Sequence, residues 1–555
     1  MLAVVVPTLL AYNLPPSPTL LNQCVAVAMW GWFVAVLSPA VGLHGAGWLG
    51  ASLAAMMAGV LWSWGPGPLP MSLALSALCL LMAAMVVAWA GAEASWQGNS
   101  AQRFGWFACG MLMAGFLSAL VASVQVFAPD LPDGEWVARS GLAGLAVGNL
   151  RQPNHLSSLL LWAVIAAVAL LELGWLRRGG TAGVVALLTF ALVLSGSRTG
   201  ALGLAVLVVW SLIDRRLSPA ARVILLATPL VYGAGLWIMS LWAAQGDLAY
   251  GAAGRFVAAG GGDLSSSRFG IWANTLTLIA RQPFTGVGFG EFNLAWSLSA
   301  FPGRPVAFFD HTHNLPLQLA VELGLPLASL ILVGLMAALG QAWVRVARRS
   351  DAAAPAARAA LMMVLMIGLH SLLEYPLWYA YFLLPAAFAW GFALGVPSRP
   401  GADQHRSGLP GLIAGLALAA GGSIAVLDYL RVVVIFAPPD GAGSLTSRIA
   451  RGQHSPWFGH HADYAAATSG DDPRGRDDAL ERAPHYLLDT RLMIAWSEAL
   501  AARGELDKAR WLVARLREFR NPAAEEFLSA CASPNAVAFQ CQKPVASYDW
   551  HAFVR

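Results

Sequence analysis

Long apolar stretches separated by short polar connections run through the first 434 residues of the chain. A helix needs about 20 mostly apolar residues to cross the hydrocarbon core of a membrane. The pattern predicts such helices at 20–38, 47–63, 71–91, 105–127, 155–174, 181–194, 200–213, 222–244, 314–343, 359–378, 379–396 and 410–434, with a shorter one at 2–12. The segment at 2–12 has no basic leader, so we interpret it as a retained helix and not as a signal peptide. We therefore predict an all-α polytopic membrane protein with about thirteen transmembrane helices.

Two longer stretches break this pattern. Residues 245–312 are predicted to form a large loop, and residues 435–555 have the composition of a small soluble domain. Within that domain, apolar residues recur at helical period on both sides of Gly504, which favours a helix pair of tetratricopeptide type. Only one such unit is clear, so a small helical cap is the alternative. The predicted division is a membrane domain at 1–434 and a helical domain at 435–555.

Composition agrees with a membrane environment. Hydrophobic residues make up 57% of the chain and charged residues only 12%, and the mean hydropathy is +0.61. A net charge of +4 over 555 residues is too dilute to indicate a nucleic-acid partner. The arrangement of the charges is more informative than their sum.

Arginines predict the orientation of the chain, because short cytoplasmic loops of membrane proteins collect Lys and Arg. They fall in alternate connections: Arg103; Arg177 and Arg178; Arg215, Arg216 and Arg222; Arg345, Arg348, Arg349 and Arg358; Arg399 and Arg406. The opposite set of connections then lies outside: 128–154, the turn at Arg198, 245–312, the turn near Tyr375, and everything after about residue 435. The N-terminus is predicted inside and the C-terminus outside.

The C-terminal stretch contains two of the five cysteines, Cys531 and Cys541. An outside location is an oxidising compartment, where a closely spaced pair can persist as a disulfide. Metal binding by these two cysteines is the alternative. The other three cysteines lie in apolar segments and are expected to behave as small core residues.

Polar residues at the predicted outer face suggest a binding site. Gln152, Asn154 and His155 surround Pro153, which stops a helix from extending backward and leaves them near the surface. A solvated helix cap would also explain them. Arg198 follows Ser-Gly-Ser between two short spans, and its planar guanidinium suits a phosphate or diphosphate; an arginine snorkelling to the interface is the alternative.

The long stretch before residue 314 holds a second set of candidates. Arg268 offers a further anion contact, and the glycines at 286, 288 and 290 have the wrong spacing for a dinucleotide fingerprint. We interpret them as a re-entrant or tightly turned segment. Asp310, His311 and His313 could suggest zinc, but a catalytic zinc usually needs three ligands in a defined arrangement, so we expect no metal or other cofactor.

Three polar residues after His313 share one helix face. Asn314, Gln318 and Glu322 are spaced at four residues, and His370 and Glu374 repeat that spacing in a later span. A transferase acting on a lipid-linked anion fits these groups. No ATP-binding loop is present in the sequence, so the donor must carry its own leaving group; arginine would neutralise a diphosphate and His313 can act as a base.

At these residues the sequence resembles the bacterial O-antigen ligase and polymerase superfamily, and in particular its PglL-type protein O-oligosaccharyltransferases. His313 and Asn314 followed by Gly324 match the ligase-like pattern, although a further expected glycine is Leu327. The Gln152-Pro-Asn-His segment, the Ser-x-Ser-Arg turn and the Glu-Tyr-Pro turn that begins at Glu374 resemble the protein-glycosylating branch.

The resemblance implies transfer of a preassembled glycan from undecaprenyl diphosphate to Ser or Thr of periplasmic proteins, often pilins. It also implies a multi-pass protein of the bacterial inner membrane with a periplasmic active site and C-terminus. His313 is then the predicted catalytic residue, and Arg198 and Arg268 the donor diphosphate contacts. The predicted substrate-binding set comprises Gln152, Asn154, His155, Asn314, Glu374 and Tyr375. A lipopolysaccharide O-antigen ligase or O-antigen polymerase is the alternative, and a lipid-linked glycan transporter is a further one.

Overall fold

The computed structural model of the chain describes residues 1–40, 46–96, 98–245, 264–306, 308–395, 407–469, 473–533 and 537–554. All regular elements in these ranges are helical, which confirms the predicted all-α class. Residues 246–263 of the predicted loop, together with Arg399 and Arg406, lie outside the described residues.

In the described part of the chain, fifteen α-helices precede the C-terminal stretch. They are α1 (Leu2–Leu9), α2 (Leu20–Leu37), α3 (Gly47–Trp64), α4 (Met71–Trp96), α5 (Ser100–Phe127), α6 (Pro153–Glu172), α7 (Arg178–Ser195), α8 (Arg198–Ile213), α9 (Pro219–Gln245), α10 (Leu264–Arg281), α11 (Phe292–Leu298), α12 (Leu315–Arg348), α13 (Ala354–Ser371), α14 (Ala380–Leu394) and α15 (Leu409–Phe436).

Each of the thirteen predicted spans coincides with one of these helices. Within the described ranges, nine helices are long and apolar enough to cross a membrane, namely α2, α4, α5, α6, α7, α9, α12, α13 and α15. Helices α8 and α14 are apolar but shorter. The polytopic character is therefore confirmed, and the count of thirteen spans stays a prediction.

The chain forms two compact units. The first comprises Met1–Ala51, Met82–Gly261 and Gly334–Ile424, and 89% of the most apolar window of α6 is buried in it. Small residues allow this packing: a Cβ added at Gly115 of α5 would lie 2.2 Å from the Cβ of Ala163 in α6. Close approach through small residues is typical of helices that associate in a membrane.

The second unit comprises Ser52–Leu81, Gly262–Val333 and Ala425–Arg555. It contains α10 and α11, so the stretch predicted as one large loop is partly helical. The prediction missed both helices because α10 carries many polar residues and α11 has only seven residues in total. The most buried side chains of α11, Phe292 and Trp296, are fully enclosed.

The described residues of the C-terminal stretch add six α-helices to this second unit: α16 (Leu445–Gln453), α17 (Gly459–Ser469), α18 (Pro473–Arg482), α19 (Thr490–Ala502), α20 (Leu506–Phe519) and α21 (Glu525–Ser529). Helices α19 and α20 confirm the helix pair predicted around Gly504, whose φ of +83° permits the sharp turn between them. The sulfurs of Cys531 and Cys541 are bonded at 2.10 Å.

Candidate functional site

Arg198 stands at the start of α8, in the turn that the sequence predicted. Helix α7 ends at Ser195, and Gly196 reverses the chain with a left-handed φ of +57°. The Ser197 side chain then accepts a hydrogen bond from the Gly200 amide at 3.0 Å, which caps α8. The exposed Arg198 side chain therefore lies at the N-terminus of α8, where the aligned peptide dipoles favour an anion.

A polar network joins this turn to two other predicted site segments of the first unit. The carboxamide of Asn154 accepts from the Ser197 hydroxyl at 2.7 Å and donates to Glu374 Oε1 at 2.8 Å. The hydroxyl of Ser157 lies 3.0 Å from that of Ser197. Glu374 is 4% exposed, so its carboxylate is directed inward. Asn154 thus links the start of α6, the start of α8 and the end of α13.

Gln152 and Tyr375 lie beside this network. Gln152 occupies the position just before α6, and its Oε1 atom is buried without a hydrogen-bond partner among the described residues. A buried acceptor in that state is costly unless something binds it. Tyr375 begins the short 3₁₀ turn at Pro376–Trp378, and its ring stacks on that of Tyr379 with centroids 6.0 Å apart. The predicted turn between α13 and α14 is confirmed.

His155 is not at a surface, contrary to our expectation. Its side chain is 2% exposed and packs edge-on against the rings of Tyr379 at 4.5 Å and Phe382 at 5.2 Å. The Tyr381 hydroxyl lies 3.4 Å from His155 Nδ1. The helix start at Pro153 turns this residue inward, toward the aromatic residues of α14.

His313 belongs to the second unit and has an unusual backbone. Its φ is +54°, a left-handed conformation that residues with a Cβ seldom adopt and that is often retained at functional sites. The preceding residue is held on both sides: Trp272 Nε1 donates to the Thr312 carbonyl at 2.9 Å, and the Thr312 amide donates to Gln318 Oε1 at 2.7 Å. These bonds fix the chain direction just before the imidazole.

Asn314 caps the helix that follows. Its side-chain oxygen accepts a hydrogen bond from the Leu317 amide at 3.1 Å, as an N-cap residue does. Farther along, Gln318 Nε2 donates to Glu322 Oε1 at 2.9 Å, so the predicted polar face of α12 is confirmed. Both Gln318 and Glu322 are buried.

Gly324 interrupts α12 with φ +74° and ψ 163°. A Cβ at this position would lie 2.3 Å from the Phe284 carbonyl oxygen. The glycine run packs here as well: the amides of Val287 and Gly288 donate to the carbonyls of Val321 and Glu322 at 2.8 and 2.9 Å. The three glycines at 286, 288 and 290 all have positive φ. The predicted tightly turned segment is therefore confirmed, and its backbone hydrogen bonds hold it against α12.

Three further candidates, Asp310, His311 and Arg268, lie in the second unit. The Asp310 carboxylate pairs with His311 Nδ1 at 2.7 Å. Arg268 lies on α10 one turn before Trp272, whose ring nitrogen binds the Thr312 carbonyl. Within the described ranges, no group of three His, Cys, Asp or Glu residues is arranged to hold a metal ion.

The predicted residues fall into two sets. The first unit holds Gln152, Asn154, His155, Arg198, Glu374 and Tyr375, and the second holds Arg268, His313 and Asn314. Sequence reasoning missed Asn293 and Arg304, both buried in the second unit. Neither residue belongs to a charge pattern or a motif, so the sequence carried no signal for them.

Comparison with known proteins finds families that match parts of this chain. Residues 146–171 match the family described as Protein glycosylation ligase, and residues 183–332 match O-Antigen ligase. Residues 358–530 match the family described as Virulence factor membrane-bound polymerase, C-terminal.

Two curated relatives come from Acinetobacter baylyi. Its General O-oligosaccharyltransferase is 29% identical over 279 residues, which cover 47% of this chain and 45% of that protein. Its ComP-specific O-oligosaccharyltransferase is 30% identical over 133 residues, covering 23% of each chain. The chain thus spans less than half the length of the curated relatives it matches. The resemblance predicted from the sequence is confirmed.

Proposed function

We propose that this chain, a relative of the PglL-type protein O-oligosaccharyltransferases, transfers a preassembled oligosaccharide from undecaprenyl diphosphate to Ser or Thr hydroxyls of periplasmic proteins such as pilins. The observation that carries the proposal is His313, which is held in a left-handed backbone by contacts on the residue before it. Both curated relatives are named O-oligosaccharyltransferases, which supports the transfer of a glycan to protein.

In the proposed reaction the acceptor oxygen attacks the anomeric carbon of the first sugar. The bond between that carbon and the diphosphate oxygen breaks, and undecaprenyl diphosphate leaves as an anion. His313 accepts the proton from the acceptor hydroxyl as the new glycosidic bond forms. Imidazole suits this step because its ordinary pKa is near neutral.

The leaving diphosphate requires positive charge more than it requires a proton. Arg198 presents its guanidinium at the N-terminus of α8, where the helix dipole adds to the attraction for an anion. Arg268 is proposed as the second contact, on the helix that also holds the His313 segment through Trp272. Neutralising charge that develops in the transition state is a major source of rate enhancement.

The hydrogen bonds divide the predicted substrate-binding residues into two roles. Asn154 already binds both Glu374 and Ser197, Asn314 caps α12, and His155 lies inside an aromatic cluster. We propose that these four position the site. Gln152, with its unsatisfied buried oxygen, and Tyr375 are proposed to contact the substrate.

The proposal includes a location. The chain lies in the bacterial inner membrane, with the turn at Arg198, the His313 segment and the C-terminal stretch on the periplasmic side. The arginine distribution along the sequence supports this orientation. We retain a membrane domain at 1–434 and a helical periplasmic domain at 435–555 as part of the proposal.

The central test is His313→Ala, with His311→Ala as the matched control. Each variant is produced together with a lipid-linked glycan pathway and a candidate pilin, and the intact mass of the pilin is measured. We expect His313→Ala to abolish glycosylation while the protein still accumulates in the membrane, because the base is lost. His311→Ala should retain most of the activity. Full glycosylation in His313→Ala contradicts the assignment.

The match of residues 183–332 to O-Antigen ligase supports a second candidate, ligation of the same donor to a lipopolysaccharide acceptor. Both reactions use a lipid-linked donor and differ only in the acceptor. Electrophoresis of lipopolysaccharide from the same cells separates them. Glycan on lipopolysaccharide with unmodified pilin favours the ligase.

A further inference from the structure

Arg304 is a buried cation in the segment that leads to His313. Its side chain is 1% exposed, and its Nε donates to Glu518 Oε2 at 2.9 Å. Its Nη1 donates to the Trp296 carbonyl at 3.1 Å. The guanidinium also lies 5.1 Å from the ring of Trp296 and 4.5 Å from that of Phe519. Such an arrangement leaves the cation a single defined position.

The partner carboxylate belongs to α20, in the C-terminal stretch. Glu518 Oε2 also accepts from the Phe301 amide at 3.3 Å, and its Oε1 pairs with Arg515 at 2.8 Å. Arg520 donates to the Arg304 carbonyl at 3.0 Å. Burial lowers the pKa of Arg304 to about 10, although the Glu518 charge opposes that shift. Arg304 is therefore charged at neutral pH, and the contact is an ion pair.

Beyond Arg304, helices α20 and α11 hold the chain at Phe308 and Phe309. The ring of Phe308 stacks on that of Phe519 with centroids 3.8 Å apart. Asn293 Nδ2 donates to the Phe309 carbonyl at 3.0 Å, and its Oδ1 accepts from the Leu488 amide at 2.7 Å. The ring of Phe309 then meets the His313 imidazole edge to face at 5.3 Å.

We propose that Arg304, Glu518 and Asn293 are positioning residues for His313. The C-terminal helix α20 fixes Phe301, Arg304 and Phe308, Asn293 of α11 fixes Phe309, and Phe309 fixes the imidazole through its ring. This inference rests on the proposed function, because it assigns His313 as the base. It gives the C-terminal stretch a part in the reaction through geometry and without substrate contact.

The physical reason lies in how sharply proton transfer depends on placement. A misplacement of about 1 Å can lower a rate roughly 100-fold. A buried arginine that loses its carboxylate must find another partner or water. Its segment would then shift, and Phe309 and the imidazole with it. Binding of the donor diphosphate by Arg198 and Arg268 would be unaffected.

The experiment compares Glu518→Gln with a matched control in the same stretch, Asp463→Asn. Asp463 also forms an ion pair, with Arg482 at 2.8 Å, but neither of these two residues belongs to the segment 301–309. Purified variants are assayed with the lipid-linked donor and a pilin acceptor, and kcat and the KM for donor are determined separately.

We expect Glu518→Gln to lower kcat by about 10- to 100-fold with the KM for donor changed by less than about twofold. Asp463→Asn should keep both constants near wild type. Phe309→Leu, which removes the aromatic contact with His313 without touching α20, should reproduce the kcat loss. If Glu518→Gln fails to accumulate, Phe309→Leu and Asn293→Ser decide by the same criterion.

Wild-type kcat in Glu518→Gln and Phe309→Leu overturns the inference, as does an equal kcat loss in Asp463→Asn. A rise in KM alone also overturns it, since that would assign the pair to binding. The proposed function fails separately: activity in His313→Ala refutes the base itself, whereas an inactive His313→Ala with a fully active Glu518→Gln refutes only the positioning role.

Discussion

At the scale of single residues, two predicted site residues differ in their exposure and in their hydrogen bonds. Arg198 is exposed at a helix start, whereas Asn154 uses both ends of its carboxamide on Ser197 and Glu374. Composition and spacing could suggest both residues as binders. Only the structure shows that Asn154 is hydrogen-bonded to Ser197 and Glu374, because these partners lie far from it in the sequence.

Arg198→Lys tests the exposed arginine. We expect the KM for donor to rise about tenfold despite the retained charge, since a point charge does not replace a planar fork on a diphosphate. Arg268→Lys should show a smaller loss. Transfer rates measured against donor concentration decide the matter.

Arg222→Lys is a suitable control for that measurement. Arg222 donates to the Ser211 carbonyl at 3.0 Å, at the opposite end of the α8 and α9 hairpin from Arg198. Arg222→Lys should leave the donor KM unchanged. If the donor KM of Arg198→Lys also equals that of the wild type, Arg198 is an interfacial anchor. Its assignment as a contact of the diphosphate is then wrong.

At the scale of helices, α12 shows how one glycine shapes an element. Gly324 combines a left-handed backbone with the close approach of the Phe284 carbonyl. It matches the ligase-like pattern in the sequence, and the structure supplies the physical reason for it. The segment 283–288 could not approach α12 if a side chain stood at this position.

Gly324→Ala should therefore destabilise the protein and reduce transfer. The backbone conformation at Gly324 is nearly restricted to glycine and costs an alanine about 1 to 3 kcal/mol, and the added Cβ collides with backbone that cannot move aside. Thermal unfolding in detergent, followed beside the transfer assay, measures both effects.

Gly340→Ala in the same helix is the control for this change. No atom lies within 4 Å of an added Cβ there, and alanine in a helix interior is favoured by about 0.5 to 1 kcal/mol over glycine. The control should unfold at or above the wild-type temperature. Equal stability of the two alanine variants would show that the interruption of α12 does not require glycine at position 324.

The sequence predicted the apolar helices well because length and hydropathy suffice for a membrane span. It did not predict α10 and α11, whose polar character hides them within a presumed loop. It placed His155 near a surface because helix starts are commonly exposed, whereas the rings of Tyr379 and Phe382 enclose it. Arg304 and Glu518, 214 residues apart, could not be paired by any local pattern.

At the scale of the whole molecule, orientation decides whether the proposed site faces the periplasm. The cysteine pair Cys531 and Cys541 tests it. We expect a membrane-impermeant thiol reagent to label these residues in intact cells only after reduction, because the periplasm keeps the bond oxidised.

A Cys531→Ser and Cys541→Ser double variant gives the background for that assay, since Cys79 and Cys109 are not fully buried. Labelling without reductant would exclude the bond. Labelling only after the inner membrane is permeabilised would place the C-terminal stretch in the cytoplasm and reverse the orientation of the proposed site.

The left-handed backbone of His313 has a consequence for directed evolution. Such a conformation costs a residue with a Cβ about 1 to 3 kcal/mol, and glycine avoids the cost. A library selected only for thermal tolerance would therefore enrich glycine or asparagine at this position, and every such survivor would lack the imidazole. A screen that demands both heat resistance and glycosylation would keep histidine there and accumulate its gains elsewhere, as expected where stability and activity compete.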